Sequence, residues 1–162
     1  MNSNKHTLVA LVNDKPGVLN RVASLFRRRS FNIESIAVGH TEQEGVSRMT
    51  IVVSGDQAIV EQARKQLDKV IDVIKLADIT HEGTVDRELA LIKVKTTPQN
   101  RSEVMQMVDI FRANIVDVAP ESLIIEITGD GDKLESFFNL LRPFGIKEIA
   151  RTGLLAMTRG AS

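Results

Sequence analysis

The order of predicted elements is the feature that most constrains the fold of this chain. Strand, helix, strand, strand, helix and strand follow one another twice along its 162 residues. Each half is therefore predicted to form a ferredoxin-like β-α-β-β-α-β unit of the α+β class, in which two helices cover one face of a sheet. The predicted strands are residues 6–12, 33–38, 47–53 and 70–79 in the first half, and 89–95, 115–118, 123–128 and 146–157 in the second.

The predicted boundaries divide the chain into two small domains. We expect residues 1–80 to form the first domain, residues 81–87 to be a linker and residues 88–162 to form the second. A single sheet with two helices leaves an open face and edge strands, so a homodimer is the simplest expectation. The first helix has an apolar stripe at helical spacing that would pack on its sheet, made of Val18, Leu19, Val22, Leu25 and Phe26.

Charge and composition exclude several classes of protein. The chain has 21 basic and 21 acidic residues, so its net charge gives no reason to expect nucleic acid as a partner. The run Arg27-Arg28-Arg29 fits a solvated helix end, because the strands that would stack RNA bases contain no aromatic residue. No apolar run approaches the roughly 20 residues that a bilayer requires. We therefore expect a soluble, cytoplasmic protein with no membrane or nucleic-acid partner.

Side chains suited to catalysis or to metal binding are scarce. There is no cysteine, and the three histidines, His6, His40 and His81, are far apart in the first half. His40 with Glu42 and Glu44 is a possible metal cluster, but a mobile acidic loop explains these residues better. We find no acid–base pair that would serve an enzyme. The sequence predicts no catalytic residue, no metal site and no cofactor in this chain.

The segment Asn13–Leu19 is the best candidate for a binding site. Pro16 and Gly17 end the first strand and open the first helix, and Gly17 has no side chain to keep a ligand away from its backbone. The amides at the start of a helix lack intrahelical partners and lie at the positive end of the helix dipole. They suit a small carboxylate such as that of an amino acid. The alternative is an ordinary turn between a strand and a helix.

The residues of four segments resemble a known family. They are similar to the small, regulatory subunit of acetohydroxyacid synthase (acetolactate synthase), whose N-terminal part is an ACT domain. Pro-Gly-Val-Leu at 16–19 alone would mark any amino-acid-sensing ACT domain, whereas Phe-Asn-Ile-Glu-Ser at 31–35 and Ile-Ala-Arg-Thr-Gly at 149–153 are more specific. The resemblance covers nearly the whole chain, through residues 11–35, 47–53, 87–94 and 148–160.

The resemblance implies a regulatory subunit without catalytic activity of its own. It would activate a separate catalytic large subunit, which carries thiamine diphosphate, Mg²⁺ and FAD and condenses pyruvate with pyruvate or 2-oxobutyrate. The product leads to valine, leucine and isoleucine, and valine is the usual feedback inhibitor. The expected effector is thus valine or another branched-chain amino acid. A stand-alone amino-acid-sensing ACT protein is the main alternative, but it leaves the specific second half unexplained.

The resemblance also implies where valine would bind. The site lies between two subunits of a homodimer joined through their first domains. One subunit would contribute its loop and the other its second strand, so the implied effector-binding residues are Asp14, Pro16, Gly17, Val18, Leu19, Asn32 and Ile33. The family commonly has Glu-Asn where this chain has Asn13-Asp14. The Asp14 carboxylate would either pair with the effector's ammonium group or repel its carboxylate.

Overall fold

The computed structural model describes residues 4–28 and 31–160, with the backbone alone at Arg28. Arg29, part of the predicted basic helix end, lies outside these residues. No helix in the described part of the chain is both long and apolar enough to span a bilayer. Its elements are β1 Lys5–Asn13, α1 Val18–Arg28, β2 Asn32–His40, β3 Val46–Ser54, α2 Gln57–Asp68, β4 Val73–Asp78, β5 Thr84–Lys95, α3 Arg101–Ile110, β6 Asn114–Ala119, β7 Ser122–Gly129, α4 Gly131–Leu141, β8 Ile146–Arg151 and β9 Leu155–Thr158.

The first unit is an antiparallel sheet in the order β2-β3-β1-β4 with α1 and α2 packed on one face. Alternate residues of β1 and β3 point to this face, because successive side chains of a strand alternate between its two sides. The side chain of Asp56 is the N-cap of α2 and accepts a hydrogen bond from Ile59 N at 2.9 Å. The buried core consists of Leu8, Ala10, Val12, Val18, Val22, Phe26, Met49, Ile51, Val53, Val60, Ala63 and Leu67.

The second unit repeats this plan with the strand order β6-β7-β5-β8 and the helices α3 and α4. The tight β6–β7 hairpin turns at Pro120-Glu121, between the two strands predicted at 115–118 and 123–128, and Asp130 caps α4 by accepting from Lys133 N at 2.9 Å. The α+β class and the two β-α-β-β-α-β units are thus confirmed. The core of this unit consists of Ala90, Ile92, Val94, Val104, Val108, Ala113, Leu123, Ile125, Ile127, Leu134, Phe137, Phe138 and Leu141.

The predicted closing strand 146–157 was wrong, because it is two strands, β8 and β9, separated at residues 152–154. Gly153 has φ +85°, and its amide donates to the Glu88 carboxylate at 3.0 Å. Thr152 N donates to Leu89 O at 3.0 Å. These bonds fix a turn whose left-handed backbone a continuous strand does not allow.

The C-terminal segment after this turn belongs to the first unit. The chain divides into one unit of residues 1–85 and 154–162 and another of residues 86–153. Ala156 packs on Val9 and Ile79, on the face of the first sheet opposite the helices, and its carbonyl accepts from Arg48 Nη2 at 2.7 Å. The expected second domain, 88–162, included this segment, and the expected linker, 81–87, includes the first residues of β5.

Candidate functional site

The start of α1 presents unbonded amides, and Gly17 is the residue that makes this possible. Gly17 has φ +86°, a left-handed backbone that glycine adopts without strain. Its carbonyl accepts the first helical hydrogen bond, from Arg21 N at 2.9 Å, while Val18 N donates to Lys15 O at 3.3 Å. In the described part of the chain, this leaves the amides of Leu19 and Asn20 without a backbone acceptor.

The space beside Gly17 is open. A Cβ atom built on Gly17 would have no atom within 4 Å, and Pro16 is exposed. Val18 is 3% exposed and packs in the core, as its place in the apolar stripe predicted. The side chain of Leu19, predicted to be buried with it, is instead 49% exposed. Leu19 therefore offers an apolar surface next to the unbonded amides.

Asp14 holds the other side of the loop. Its amide donates to Gly45 O at 2.9 Å, which ties the loop to the hairpin between β2 and β3. Its carboxylate Oδ2 lies 3.5 Å from Nδ1 of His40, and about half of the side chain stays exposed. A carboxylate so exposed can still receive a ligand's ammonium group.

Asp72 anchors the loop from beneath, a role that the sequence did not reveal. Its carboxylate accepts from Arg21 Nη1 at 2.6 Å and from Asn13 Nδ2 at 3.3 Å, and its carbonyl accepts from Asn13 N at 2.8 Å. Lys15 Nζ lies 3.8 Å from Asp72 Oδ1. The hydrogen bond from Asn13, followed by that from Arg21, lowers the pKa of Asp72 against the opposing effect of desolvation. The feature of the sequence that could have indicated this role is a single acidic residue between two apolar ones, Ile71 and Val73.

A turn makes β4 shorter than predicted. The sequence predicted a strand over 70–79, but the strand begins at Val73. Val73 N donates to Val70 O at 3.0 Å, so residues 70–73 form a turn. The turn brings the Asp72 carboxylate beneath the loop.

Asn32 and Ile33, the remaining predicted site residues, lie at the opposite end of the same sheet. In the strand register Asn32 pairs with Ser54, which pairs with Lys5, whereas Asn13 pairs with Val46. These ends are separated by the eight residue-to-residue steps of the nine-residue strand β1, which correspond to about 26 Å. Asn32 is exposed and donates to Glu34 Oε1 at 3.3 Å, while Ile33 packs against the core. One chain thus brings together Asp14 to Leu19 but not Asn32 and Ile33.

The arrangement suits the binding of a zwitterion. It places unbonded amides at the positive end of a helix dipole, an exposed carboxylate and an apolar side chain around open space. Within residues 4–28 and 31–160, no group of three or more His, Asp or Glu side chains is placed to hold a metal ion.

Comparison with known proteins assigns both halves of the chain. A family model described as the small subunit of acetolactate synthase matches residues 87–160, and one described as an AHAS small subunit-like ACT domain matches residues 8–75. The probable acetolactate synthase small subunit of Archaeoglobus fulgidus is 58% identical over 156 residues, which cover 96% of this chain and 98% of that protein.

Two further relatives agree with this assignment. The acetolactate synthase small subunit of Mycobacterium bovis is 55% identical over 160 residues, covering 99% of this chain and 95% of the relative. The crystal structure of the acetolactate synthase small subunit from Thermotoga maritima superposes with a TM-score of 0.89 at 47% identity, covering 98% of this chain and 99% of that one. The chain therefore belongs to the family of acetolactate synthase small, regulatory subunits.

Proposed function

We propose that this chain activates the catalytic large subunit of acetolactate synthase and makes it sensitive to feedback inhibition by valine. Membership of the small-subunit family supports the large subunit as partner. The open helix start at Gly17 is the observation that carries the regulatory part of the proposal. We expect thiamine diphosphate, Mg²⁺ and FAD to reside in the large subunit.

Each group of valine has a counterpart at the loop. The carboxylate accepts hydrogen bonds from the amides of Leu19 and Asn20, where the helix dipole also favours an anion. The ammonium group meets the Asp14 carboxylate. The isopropyl group packs on the exposed Leu19 side chain. Valine then replaces water at amides that have no protein acceptor in the described residues.

The loop alone leaves one side of the ligand uncovered, and a second subunit supplies the rest. Since Asn32 and Ile33 of one chain lie about 26 Å from its own loop, they contribute only to a site formed with the partner's loop. A homodimer joined through the first units completes two such sites by symmetry.

An assay of acetolactate formation tests this proposal. The large subunit, with its cofactors, is assayed alone, with this chain, and with this chain plus valine. We expect the chain to raise the rate, valine to lower it again, and the isolated chain to make no acetolactate. A rate that this chain leaves unchanged would contradict the activating role.

Two substitutions at Gly17 separate valine binding from activation. Gly17→Asp places a negative charge where the valine carboxylate binds. The resulting loss of valine binding free energy should exceed the ~1–3 kcal/mol typical of an allosteric coupling. Gly17→Asn is the matched control, because both side chains tolerate a left-handed backbone and differ mainly in charge. We expect Gly17→Asp to activate the large subunit without transmitting valine inhibition, and Gly17→Asn to retain more of that inhibition.

Calorimetry locates the site. If Gly17→Asp binds valine as tightly as the parent chain, the site is elsewhere. If the parent chain binds no valine, the Asp14 carboxylate has abolished the site and the chain is an activator without this feedback.

A further inference from the structure

The second unit contains a cavity lined by two basic side chains that the proposed effector site does not use. It has a volume of about 400 Å³, is shallow and largely open to solvent, and is lined by Ile110, Phe111, Arg112, Lys133 and Ser136. None of these five residues is acidic. In the part of the chain that the structure describes, neither Arg112 nor Lys133 forms an ion pair.

Arg112 has a left-handed backbone at the turn that ends α3. Arg112 has φ +54°, and among the described residues it is the one non-glycine residue with a left-handed backbone. It follows Phe111, the C-cap of α3, at a position where glycine is the usual residue because it has no Cβ. Retaining arginine here costs stability, and strain of this kind concentrates at binding sites.

Gly129 leaves room for the side chain of Lys133. A Cβ atom on Gly129 would lie 2.5 Å from Cδ of Lys133, so any larger residue would displace this side chain. Gly129 lies outside the left-handed region, so here glycine provides room. The absence of a side chain at Gly129 thus lets the Lys133 stem lie against the backbone beside the cavity.

The remaining lining residues add an apolar wall and a hydroxyl group. Phe111 is fixed from behind by Phe137, with ring centroids 5.0 Å apart. Ile110 is 76% exposed and lies beside the two cations. The exposed Ser136 hydroxyl can donate a hydrogen bond.

We propose that this cavity binds a small 2-oxo carboxylate with a short aliphatic chain. The guanidinium group of Arg112 suits bidentate binding of the carboxylate, and Lys133 and Ser136 donate to the remaining oxygens. The aliphatic chain packs against Ile110 and Phe111. An amino acid is rejected because its ammonium group would face two cations without an acidic partner. The cavity thus discriminates against the ligand proposed for the loop at Gly17.

Calorimetry on the full-length chain tests this inference with three probes. These are 3-methyl-2-oxobutanoate, L-valine and inorganic phosphate; the first differs from valine in carrying an oxo group in place of the ammonium group. We expect the 2-oxo acid to bind equally well to the parent chain and to Gly17→Asp, and neither valine nor phosphate to displace it. This experiment stands apart from the valine proposal, which predicts a loss in Gly17→Asp.

Three variants identify the cavity as the site. Lys133→Met and Arg112→Gly should each weaken binding of the 2-oxo acid about tenfold, since each removes a charged hydrogen-bond donor. Arg112→Gly should also raise the melting temperature, because glycine relieves the left-handed backbone; a purely structural arginine would not pair greater stability with weaker binding. Lys147→Met is the matched control, because it removes an exposed lysine of β8 and should leave binding unchanged.

Four outcomes would overturn the inference. The first two are the absence of saturable binding of the 2-oxo acid to the parent chain and unchanged binding in both cavity variants. The third is displacement of the 2-oxo acid by phosphate at equal affinity, which would indicate a general anion site. The fourth is displacement by valine, which would indicate that the cavity accepts an ammonium group.

Discussion

Asp72 is the residue on which the shape of the loop before α1 most depends. It is nearly buried, and it receives hydrogen bonds from Asn13 and Arg21 on either side of the loop. We expect Asp72→Asn to fold, because an amide fits the same space, but to hold Arg21 less firmly. Valine binding measured by calorimetry should weaken several-fold although Asp72 does not touch the ligand. Binding equal to that of the parent chain would show that the loop keeps its shape without this charge.

The same carboxylate predicts a dependence of stability on pH. The pKa of Asp72 is lowered in the folded chain from its ordinary value of 3.8. A lowered pKa stabilises the fold above the unfolded value, and this contribution disappears as the pH falls through the folded value. The free energies of unfolding of the parent chain and of Asp72→Asn, measured in urea, should therefore differ most above about pH 4 and converge below it. A difference that persists in strong acid would assign the effect to packing.

Single residues differ in how far the sequence alone reveals them. Gly17 could be predicted, because a glycine after proline at a strand end points to a turn into a helix. Asp72 could not, since its partners Asn13 and Arg21 lie 59 and 51 residues away and only the folded sheet brings them together. Arg112 was likewise hidden, because nothing in its neighbours indicates a left-handed backbone.

The helix caps provide a test of element stability. Asp56 Oδ1 accepts from Ile59 N at 2.9 Å and so satisfies one free amide of α2. We expect Asp56→Ala to lower the free energy of unfolding by about 1 kcal/mol. Asp56→Asn is the control and should cost much less, because asparagine caps nearly as well. Equal losses in the two variants would point to the charge rather than to the cap. Chemical denaturation measures both.

Arg151 fixes the end of β8 through two ion pairs and an aromatic contact. Arg151 Nη2 lies 2.7 Å from the buried Glu88 carboxylate and its Nη1 lies 3.1 Å from Glu135, while the guanidinium carbon is 5.1 Å from the ring centroid of Phe138. Among the described residues, Arg151→Met would leave the Glu88 carboxylate with one donor, Gly153 N. We expect a loss of about 2 kcal/mol in the stability of the second unit.

Hydrogen exchange of β5 and β8 would locate the loss in Arg151→Met, with Lys147→Met as a control of equal charge. If the amide hydrogens of β5 and β8 exchange at the same rate in both variants, the Arg151–Glu88 pair contributes little net stability.

Elements were predictable where local signals determine them. The helix caps at Asp56 and Asp130 and the turn at Pro120-Glu121 follow from short-range sequence patterns, and the structure has all of them. The break between β8 and β9 does not follow from such patterns. The residues around it are mostly apolar, and the turn depends on Glu88, 65 residues before Gly153.

The division of the whole chain into units shows the same limit at a larger scale. Two repeats of one element order predict two consecutive domains, and the family model for the second half also extends to residue 160. Residues 154–160 nevertheless complete the first unit, because Val9 and Ile79 present an apolar surface that Ala156 covers. Sequence periodicity places these residues in a strand, β9, which pairs with β5, but it does not identify the apolar surface of the first unit on which Ala156 packs.

The proposed sharing of each valine site between two subunits predicts that two variants, each insensitive to valine alone, restore valine inhibition when combined. Gly17→Asp damages the loop, and Asn32→Ala damages the strand at the opposite end of the sheet. Each homodimer then has two defective sites. In a mixed dimer one site combines both defects and the other combines an intact loop with an intact strand. With random pairing of equal amounts, about half of the dimers are mixed.

We therefore expect co-expressed variants, joined with the large subunit, to recover part of the valine inhibition that each lacks alone. Sedimentation of the parent chain should give a dimer. The control is a pair of variants in the same half of the site, Gly17→Asp with Asp14→Ala, which leaves no intact loop in the mixed dimer and should recover nothing. A monomeric parent chain would contradict the shared site. So would a lack of recovery in dimers shown by mass spectrometry to be mixed, because a site formed within one chain keeps a defect in every subunit.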